Sequence, residues 1–308
     1  MQNPYDINGL VFWTEDEIQL RETFRDFFAA QLQRDLRALN DQWRFHYIEA
    51  PLLTPRDLLN VNYTVEDIWV QDPRLSWEDQ QWVDSGASPP PRILALRPET
   101  TPGSYAYAQM ILNDVHPPAK PPFVVWQAGK SFRREIVQPT KHMRLKEFYQ
   151  QEFQCLYTAD TATDYQELML ERIRKMIGSM IHLPTRLVES DRLPAYSLRT
   201  MDVEVWNGDK WMEVCSISKR TDFPQKLVFQ GKKGTLEKDA LVLEVAIGLD
   251  RCVYNWQIAQ GDVSGPPDVE LTREEISELR RMANDAETRL TSEVNEAQAI
   301  EETEGQPT

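Results

Sequence analysis

The sequence predicts an α+β fold, an antiparallel β-sheet flanked by helices, and three observations carry that expectation. Extended runs arrive as neighbouring pairs, such as residues 201–206 and 211–217. The link inside that pair contains Asn207-Gly208, the strongest short hairpin signal, because both residues tolerate the positive φ of a tight turn. The regular strand–helix–strand alternation of a parallel sheet is missing. A composition of 41% hydrophobic and 10% aromatic residues can bury an ordinary core, which excludes a disordered chain. The net charge of −15 over 308 residues excludes a uniformly basic nucleic-acid binder.

The elements follow in order. Thr14 and Glu17 form a capping box, and Leu20, Phe24, Phe27, Phe28, Leu32, Leu36 and Leu39 then lie on one stripe, so a long helix rests on an apolar surface. A strand over 43–50 stops at Pro51 and Pro55, which lack the N–H a ladder needs. Residues 60–92 read as a surface loop or irregular hairpin ending in SGASPPPR. After them come a strand at 93–96, a helix at 103–113, a proline-rich connector and a buried strand at 123–128. Two further strands, 132–137 and 145–156, flank the loop QPTKHMR, and a helix covers 163–181. Past the Asn-Gly hairpin, GKKG at 231–234 reads as a flexible basic loop, and the apolar strand 241–247 feeds a helix opened by Gly248.

Two domains are expected: a body over 1–256 and an acidic tail over 257–308. The tail holds 13 acidic and 4 basic side chains, a capping box at Thr272 and Glu275, and an apolar stripe from Ile276 to Ala297, so it reads as an amphipathic helix. Cys155, Cys215 and Cys252 are odd in number and far apart, and His46, His116 and His182 show no ligand spacing, so no zinc is expected. No apolar run approaches the roughly 18 residues of a membrane helix, and the N-terminal segment lacks a leader's pattern. A cytoplasmic protein with reduced thiols and no membrane partner is the expectation.

The richest segment chemically is GKSFRREIVQPTKHMRLKEFYQQEF, residues 129–153. Arg133 and Glu135 share a strand face at spacing two, with Phe148 and Glu152 on the returning strand. A guanidinium, a carboxylate and an aromatic ring are what a nucleotide site needs. The same residues also fit a solvated hairpin laced by cross-strand Arg–Glu pairs.

This segment resembles motif 2 of class II aminoacyl-tRNA synthetases, and other segments agree in order. LRPETTPG (96–103) resembles the amino-acid-binding loop of the glycyl enzymes, LEVAIGLDRCV (243–253) motif 3, and FHYIEAPLLTP (45–55) motif 1, whose proline is Pro51. Residues 202–223, DVEVWNGDKWMEVCSISKRTDF, resemble the hairpin before motif 3 in the seryl, threonyl and prolyl enzymes and overlap a glycyl pattern through Trp211, Glu213, Ile217 and Arg220. The resemblance spans about 14–256 and places the chain closest to the glycyl enzymes of subclass IIa.

What the resemblance implies can be assigned residue by residue. Arg133 holds the α-phosphate of ATP and Arg251 its γ-phosphate end. Glu135 faces the adenine amino group, Phe148 stacks on the ring, and Arg144 reaches the outer phosphates. Glu213 and Ser216 bind an ATP-borne Mg²⁺. Glu99, Thr100, Glu152, Glu244 and Ala246 surround the amino acid, with Ala246 where the glycyl enzymes carry serine. The implied reaction is formation of an aminoacyl-adenylate and its transfer to the acceptor end of tRNA, by a homodimer joined through the motif 1 region, with a small amino acid such as glycine favoured. The family's anticodon-binding domain is expected to be lacking, since an acidic tail offers few phosphate contacts. Two alternatives stay open at this point: transfer to a carrier protein, modified nucleobase or small amine, and a non-catalytic dimeric accessory protein.

Overall fold

The computed structural model describes residues 6–7, 10–59, 63, 66–70, 93–134, 145–191, 193–231, 234–261 and 263. A short ladder of β1 (Asp6–Ile7) and β2 (Leu10–Val11) precedes helix α1 (Glu15–Leu39). Strands β3 (Arg44–Tyr47), β4 (Leu53–Pro55) and β5 (Leu94–Leu96), helix α2 (Thr101–Asn113) and the long strands β6 (Phe123–Phe132) and β7 (Glu147–Thr158) follow. Next come α3 (Tyr165–Ile181), β8 (Thr185–Glu189), β9 (Ser197–Trp206), β10 (Trp211–Arg220), β11 (Leu227–Gly231), β12 (Gly234–Lys238), β13 (Ala240–Gly248) and α4 (Leu249–Ala259).

Seven strands form the central sheet in the order β3-β6-β7-β13-β10-β9-β8. Every neighbouring pair is antiparallel except β3 with β6. A parallel pair needs a crossover, and helix α2 lies within the connection that supplies it.

Alternation along the strands gives the sheet two unlike faces. Phe153 and Cys155 of β7, Leu243, Val245 and Ile247 of β13, Ile217 of β10 and Val203 of β9 point to one face and belong to a single core. That core is roofed by α1, α3 and α4; the α1 stripe contributes Phe24, Phe28, Leu32 and Leu36, all fully buried. Each such side chain contributes about 1.5–3 kcal/mol on burial. The other face is apolar only under α2, where Tyr105, Ala108 and Ile111 meet Phe123, Val125, Leu156 and Val242. Beyond α2 it turns polar, and this polar floor is where a site can form.

Local chemistry accounts for the element ends. The capping box of α1 is made: Glu17 N–H donates to Thr14 Oγ1 at 3.3 Å, and Thr14 N–H donates to Glu17 Oε2 at 2.8 Å. The β9–β10 hairpin closes with Gly208 at φ 91°, a conformation side chains resist, while Asn207 Oδ1 accepts the N–H groups of Asp209 and Lys210. Helix α3 ends at His182 with φ 64°, the left-handed cap position.

Four details depart from the sequence expectations. Residues 123–128 and 132 belong to one unbroken strand rather than two, and β6 ends at Phe132. Arg133 therefore sits just past the ladder: its N–H still reaches Lys146 O at 3.0 Å, but the N–H of Arg134 turns away to Asp67 O at 2.8 Å. The expected basic loop at 231–234 closes a second hairpin, β11 with β12. Strand β8 went unpredicted because it shows no alternation: four of its residues are half-buried and Glu189 is exposed. Helix α4 runs to Ala259, past residue 256. The loop carrying Glu135 and Arg144, and the tail helix expected from residue 272, lie outside the described residues. Among the described residues no helix is long and apolar enough to cross a membrane. All three cysteines are buried free thiols.

Candidate active site

The polar floor is a grid set by strand register. One row runs Gln127, Glu152, Ala246, Ser216, Asp202 across β6, β7, β13, β10 and β9. The next runs Gln154, Glu244, Ser218, Thr200 across the last four of those strands. Above the grid lies a cavity of about 430 Å³. Its wall includes Arg133 and Phe148 from the β6–β7 end and Arg251 from the first turn of α4.

A β-bulge decides who faces the cavity. Residues three apart on an unbroken strand point to opposite faces, so Glu213 and Ser216 of β10 would be separated. The register between β9 and β10 slips between Glu213 and Cys215, which lets Val214 and Cys215 both enter the core. Glu213 is thereby brought into step with Ser216 and Ser218 on the cavity side.

At one end, carboxylates converge. Glu152 Oε2 accepts from Thr100 N–H (3.1 Å), Thr100 Oγ1 (2.6 Å) and Thr101 Oγ1 (3.1 Å), and Oε1 accepts from Gln150 Nε2 (2.7 Å). Glu244 Oε1 accepts from Arg220 Nη1 (2.6 Å) and Gln154 Nε2 (2.9 Å). Thr101 Oγ1 is also 3.1 Å from Glu244, but a hydroxyl has one proton. That proton can serve either carboxylate.

Arg220 is the cation that makes this burial tolerable. Its side chain is 1% exposed; it forks onto Asp222 at 3.0 and 2.7 Å, reaches Glu244, and stacks 4.0 Å from the Tyr196 ring. One guanidinium shared between Asp222 and Glu244 leaves Glu99 and Glu152 without a full counter-charge. Burial accordingly pushes Glu99 up to about 7; Arg220 opposes the rise, and Glu152 and Glu244 add to it. Burial, then Glu244, likewise raises Glu152.

At the other end stand two arginines, with Glu213, Asp250 and Asp202 beside them. Arg133 donates Nε–H to Pro98 O at 3.2 Å and lies 5.2 Å from the Phe148 ring centre. Arg251 donates to Glu213 O at 2.8 Å, and its ion pair with the Glu213 carboxylate is long, 3.6 Å. Asp250, next to it, accepts Tyr149 N–H at 2.7 Å and Arg21 Nη1 at 3.2 Å, which ties α1 and β7 to the start of α4. Burial pushes Asp250 up to about 6 against these two donors. Asp202, beside Ser216 in register, is also pushed by burial to about 6, with hydrogen bonds from Ser190 and Ser216 opposing.

Of the residues expected from sequence, Arg133, Phe148, Glu99, Glu152, Glu213, Ser216, Glu244, Ala246 and Arg251 all line this cavity. Thr100 is fully buried and reaches the site through Glu152. Glu135 and Arg144 lie outside the described residues. Sequence reasoning assigned no role to Asp202, Asp222, Gln154 and Tyr63, and took Arg220 only as part of a pattern. In-register counting from Trp206 opposite Trp211 would set Asp202 against Cys215, and only the bulge sets it against Ser216; nothing local could have announced Tyr63. Among the described residues, no group of three or more His, Cys, Asp or Glu forms a metal cage.

With this geometry in hand, similarity to known proteins is informative. Residues 87–257, more than half the chain, match the model of the tRNA synthetase class II core domain (G, H, P, S and T). A glycine–tRNA ligase of Mycoplasma capricolum subsp. capricolum is 31% identical over 181 residues, 54% of this chain and 39% of that protein. One from Cutibacterium acnes is 33% identical over 179 residues, 53% of this chain and 38% of that protein. The chain thus spans about two fifths of the length of these relatives. In fold, it resembles a prolyl-tRNA synthetase from Cryptosporidium parvum solved with halofuginone and AMPPNP: TM-score 0.61 at 17% identity, over 86% of this chain and 50% of that one.

Proposed function

This chain belongs to the class II tRNA synthetase core-domain family, and on that premise we propose that it is a ligase that activates an amino acid with ATP and hands it to the acceptor end of a tRNA. Glycine is the substrate we favour. One observation carries the reading: a single cavity bears two arginines and an aromatic ring at one end and three carboxylates at the other. Arginines at one end and carboxylates at the other suit a polyphosphate and an ammonium bound side by side.

In the first step a carboxylate oxygen of the amino acid attacks the α-phosphorus of ATP. The bond to the β-phosphate oxygen breaks, pyrophosphate leaves, and an aminoacyl-adenylate remains. Such a displacement is driven by positioning and charge neutralisation, with no side-chain nucleophile. Arg133 serves the α-phosphate, where negative charge grows, and Arg251 the outer phosphates; both roles need a permanent, forked cation. Phe148 stacks on adenine, and Glu135 and Arg144 complete the nucleotide site. Glu99, Glu152 and Glu244 hold the ammonium, Thr100 orienting Glu152, while the Ala246 methyl forms the floor between them. In the second step an acceptor hydroxyl of tRNA attacks the mixed-anhydride carbonyl and AMP departs.

Glu213, Ser216 and Asp202 offer oxygen donors only, which suits a Mg²⁺ ion arriving with ATP and keeping several waters. Such an ion lowers repulsion among the phosphates. Edge strand β3 ends in Tyr47, 48% exposed, and is followed by Leu52 and Leu53, 41% and 50% exposed, which supports dimerisation through this motif 1 region in a cytoplasmic enzyme.

The test is amino-acid-dependent exchange of pyrophosphate into ATP across all twenty amino acids. The expected result is exchange led by glycine and lost in Arg133→Ala, by about 10²–10³-fold, with the oligomer unchanged. Exchange with no amino acid would overturn activation; exchange without charging of bulk tRNA would overturn the acceptor.

A further inference from the structure

We infer that Tyr63 is a positioning residue of the proposed activation, its hydroxyl joining the ammonium-binding carboxylates to the arginine that serves the α-phosphate. This rests on the function proposed above, but its geometry stands by itself. The Tyr63 hydroxyl lies 3.2 Å from Glu99 Oε2 and 3.4 Å from Arg133 Nη2, and the residue lines the cavity. It lies ahead of the residues matched to the family model, which begin at residue 87.

The direction of both bonds is fixed by chemistry. An arginine has donors only, so Arg133 must donate to the phenol oxygen. The phenol's single proton is then left for Glu99. Burial pushes the phenol well above its ordinary value, so it keeps that proton at neutral pH. The ring cannot drift, because Arg56 Nη2 donates to the Tyr63 carbonyl at 2.6 Å and the ring packs beside Leu59, Ile68 and Ala95.

Two consequences follow. A hydroxyl bond to the ionised form of Glu99 favours that form, the one an ammonium requires. Glu99 is also faced by Arg220 from β10, Glu152 from β7, Glu244 from β13 and Arg133 past the end of β6, and among its partners Tyr63 is the neutral donor. The same oxygen takes one Nη–H of Arg133 while Pro98 O takes its Nε–H, so Tyr63 is the side chain that joins the ammonium subsite to the α-phosphate subsite. An amino acid whose carboxylate must reach phosphorus while its ammonium stays on the glutamates needs that distance held.

Tyr63→Phe deletes the hydroxyl and keeps the ring. In pyrophosphate exchange at saturating ATP, KM for the amino acid is expected to rise at least about tenfold, the worth of a hydrogen bond to a charged group. KM for ATP should rise by a smaller factor, because Pro98 O still holds Arg133 Nε–H, and the acid limb of the amino-acid kcat/KM profile should move to higher pH. A purely structural tyrosine would leave that limb in place. An unchanged amino-acid KM together with an unchanged limb overturns the inference. A second measurement needs no turnover: the carboxyl carbon of Glu99, followed by ¹³C NMR in the unliganded protein, should titrate at higher pH in Tyr63→Phe than in wild type. The same midpoint in both overturns the bridge. A wild-type protein without exchange counts against the proposed function alone, and the carboxyl titration still decides the role of Tyr63.

Discussion

The two ends of the cavity solve opposite electrostatic problems. At the arginine end, Arg251 and Glu213 keep 34% and 49% of their side-chain surface in solvent, and beside a long ion pair they share one bond from Arg251 to the Glu213 carbonyl. At the carboxylate end, Arg220 and Glu244 are 1% and 8% exposed and locked into a bonded network with Thr101, Gln154 and Asp222. The first set stays half-open to solvent, where a ligand can reach it; the second is closed in among its own side chains. A site can therefore hold residues needed only for binding beside residues on which the fold itself depends.

The largest expected effect tests that contrast directly. Arg220→Met strands Glu244 and Asp222 without their cation, and removing one partner of a buried pair costs about 3–5 kcal/mol. Arg251→Met, at the half-exposed end, is expected to change stability by less than about 1 kcal/mol. Urea unfolding of both variants against wild type measures this. Equal midpoints would break the comparison, because the carboxylate network would then contribute no more to the fold than the arginines do.

A middle-sized effect concerns protons. Glu99 at about 7 lies above the ordinary carboxylate value of 4.5, so the folded, unliganded protein takes up a proton that the unfolded chain releases. That uptake favours the fold fully below about pH 4.5, and the advantage is lost as the pH rises through about 7. Binding has the opposite sign. An ammonium requires the ionised glutamate, so amino-acid affinity should rise about tenfold from pH 6 to pH 8 as the proton no longer has to be expelled. Calorimetry in buffers of different ionisation heat should detect a proton released on binding near pH 6. Release unchanged in Glu99→Gln would assign the proton to another group.

How much of this was legible in the sequence divides along the same line. The arginine end is carried by short contiguous motifs: Arg133 beside a strand end, Phe148 on the returning strand and Arg251 three residues after a glycine. The helix stripe of α1, its capping box and the Asn-Gly hairpin were equally local, and each lies where expected. At the carboxylate end the resemblance supplied Glu99, Thr100, Glu152 and Glu244, but not how they are bonded, because their partners are remote in sequence. Arg220 and Glu244 are 24 residues apart, Thr100 and Glu152 are 52 apart, and Tyr63 and Glu99 are 36 apart. Sheet register brings Glu244 beside Gln154 and Ser218, and no spacing rule within one strand predicts that. The bulge at Val214 is a further instance: period-two reasoning would have put Glu213 and Ser216 on opposite faces, and only the cross-strand slip unites them.

The smallest effect probes the one apolar member of the polar floor. Ala246 lies between Glu152 and Ser216 in its row and two residues from Glu244 along β13. Ala246→Ser adds one hydroxyl at a half-buried position where neighbouring side chains already donate and accept. Its oxygen can serve the bound ammonium or donate to Glu152, and a net hydrogen bond contributes about 0.5–1.5 kcal/mol. The expected outcome is a two- to tenfold fall in KM for glycine in pyrophosphate exchange, with KM for ATP unchanged because the arginine end is untouched. Alanine or serine as substrate should lose ground against glycine in the same variant, since the hydroxyl fills space that the methyl leaves open. If glycine gains nothing and larger amino acids are activated as well as before, the residue at 246 does not face the substrate, and discrimination resides elsewhere on the floor, with Ser218 and Thr200 the next positions to vary.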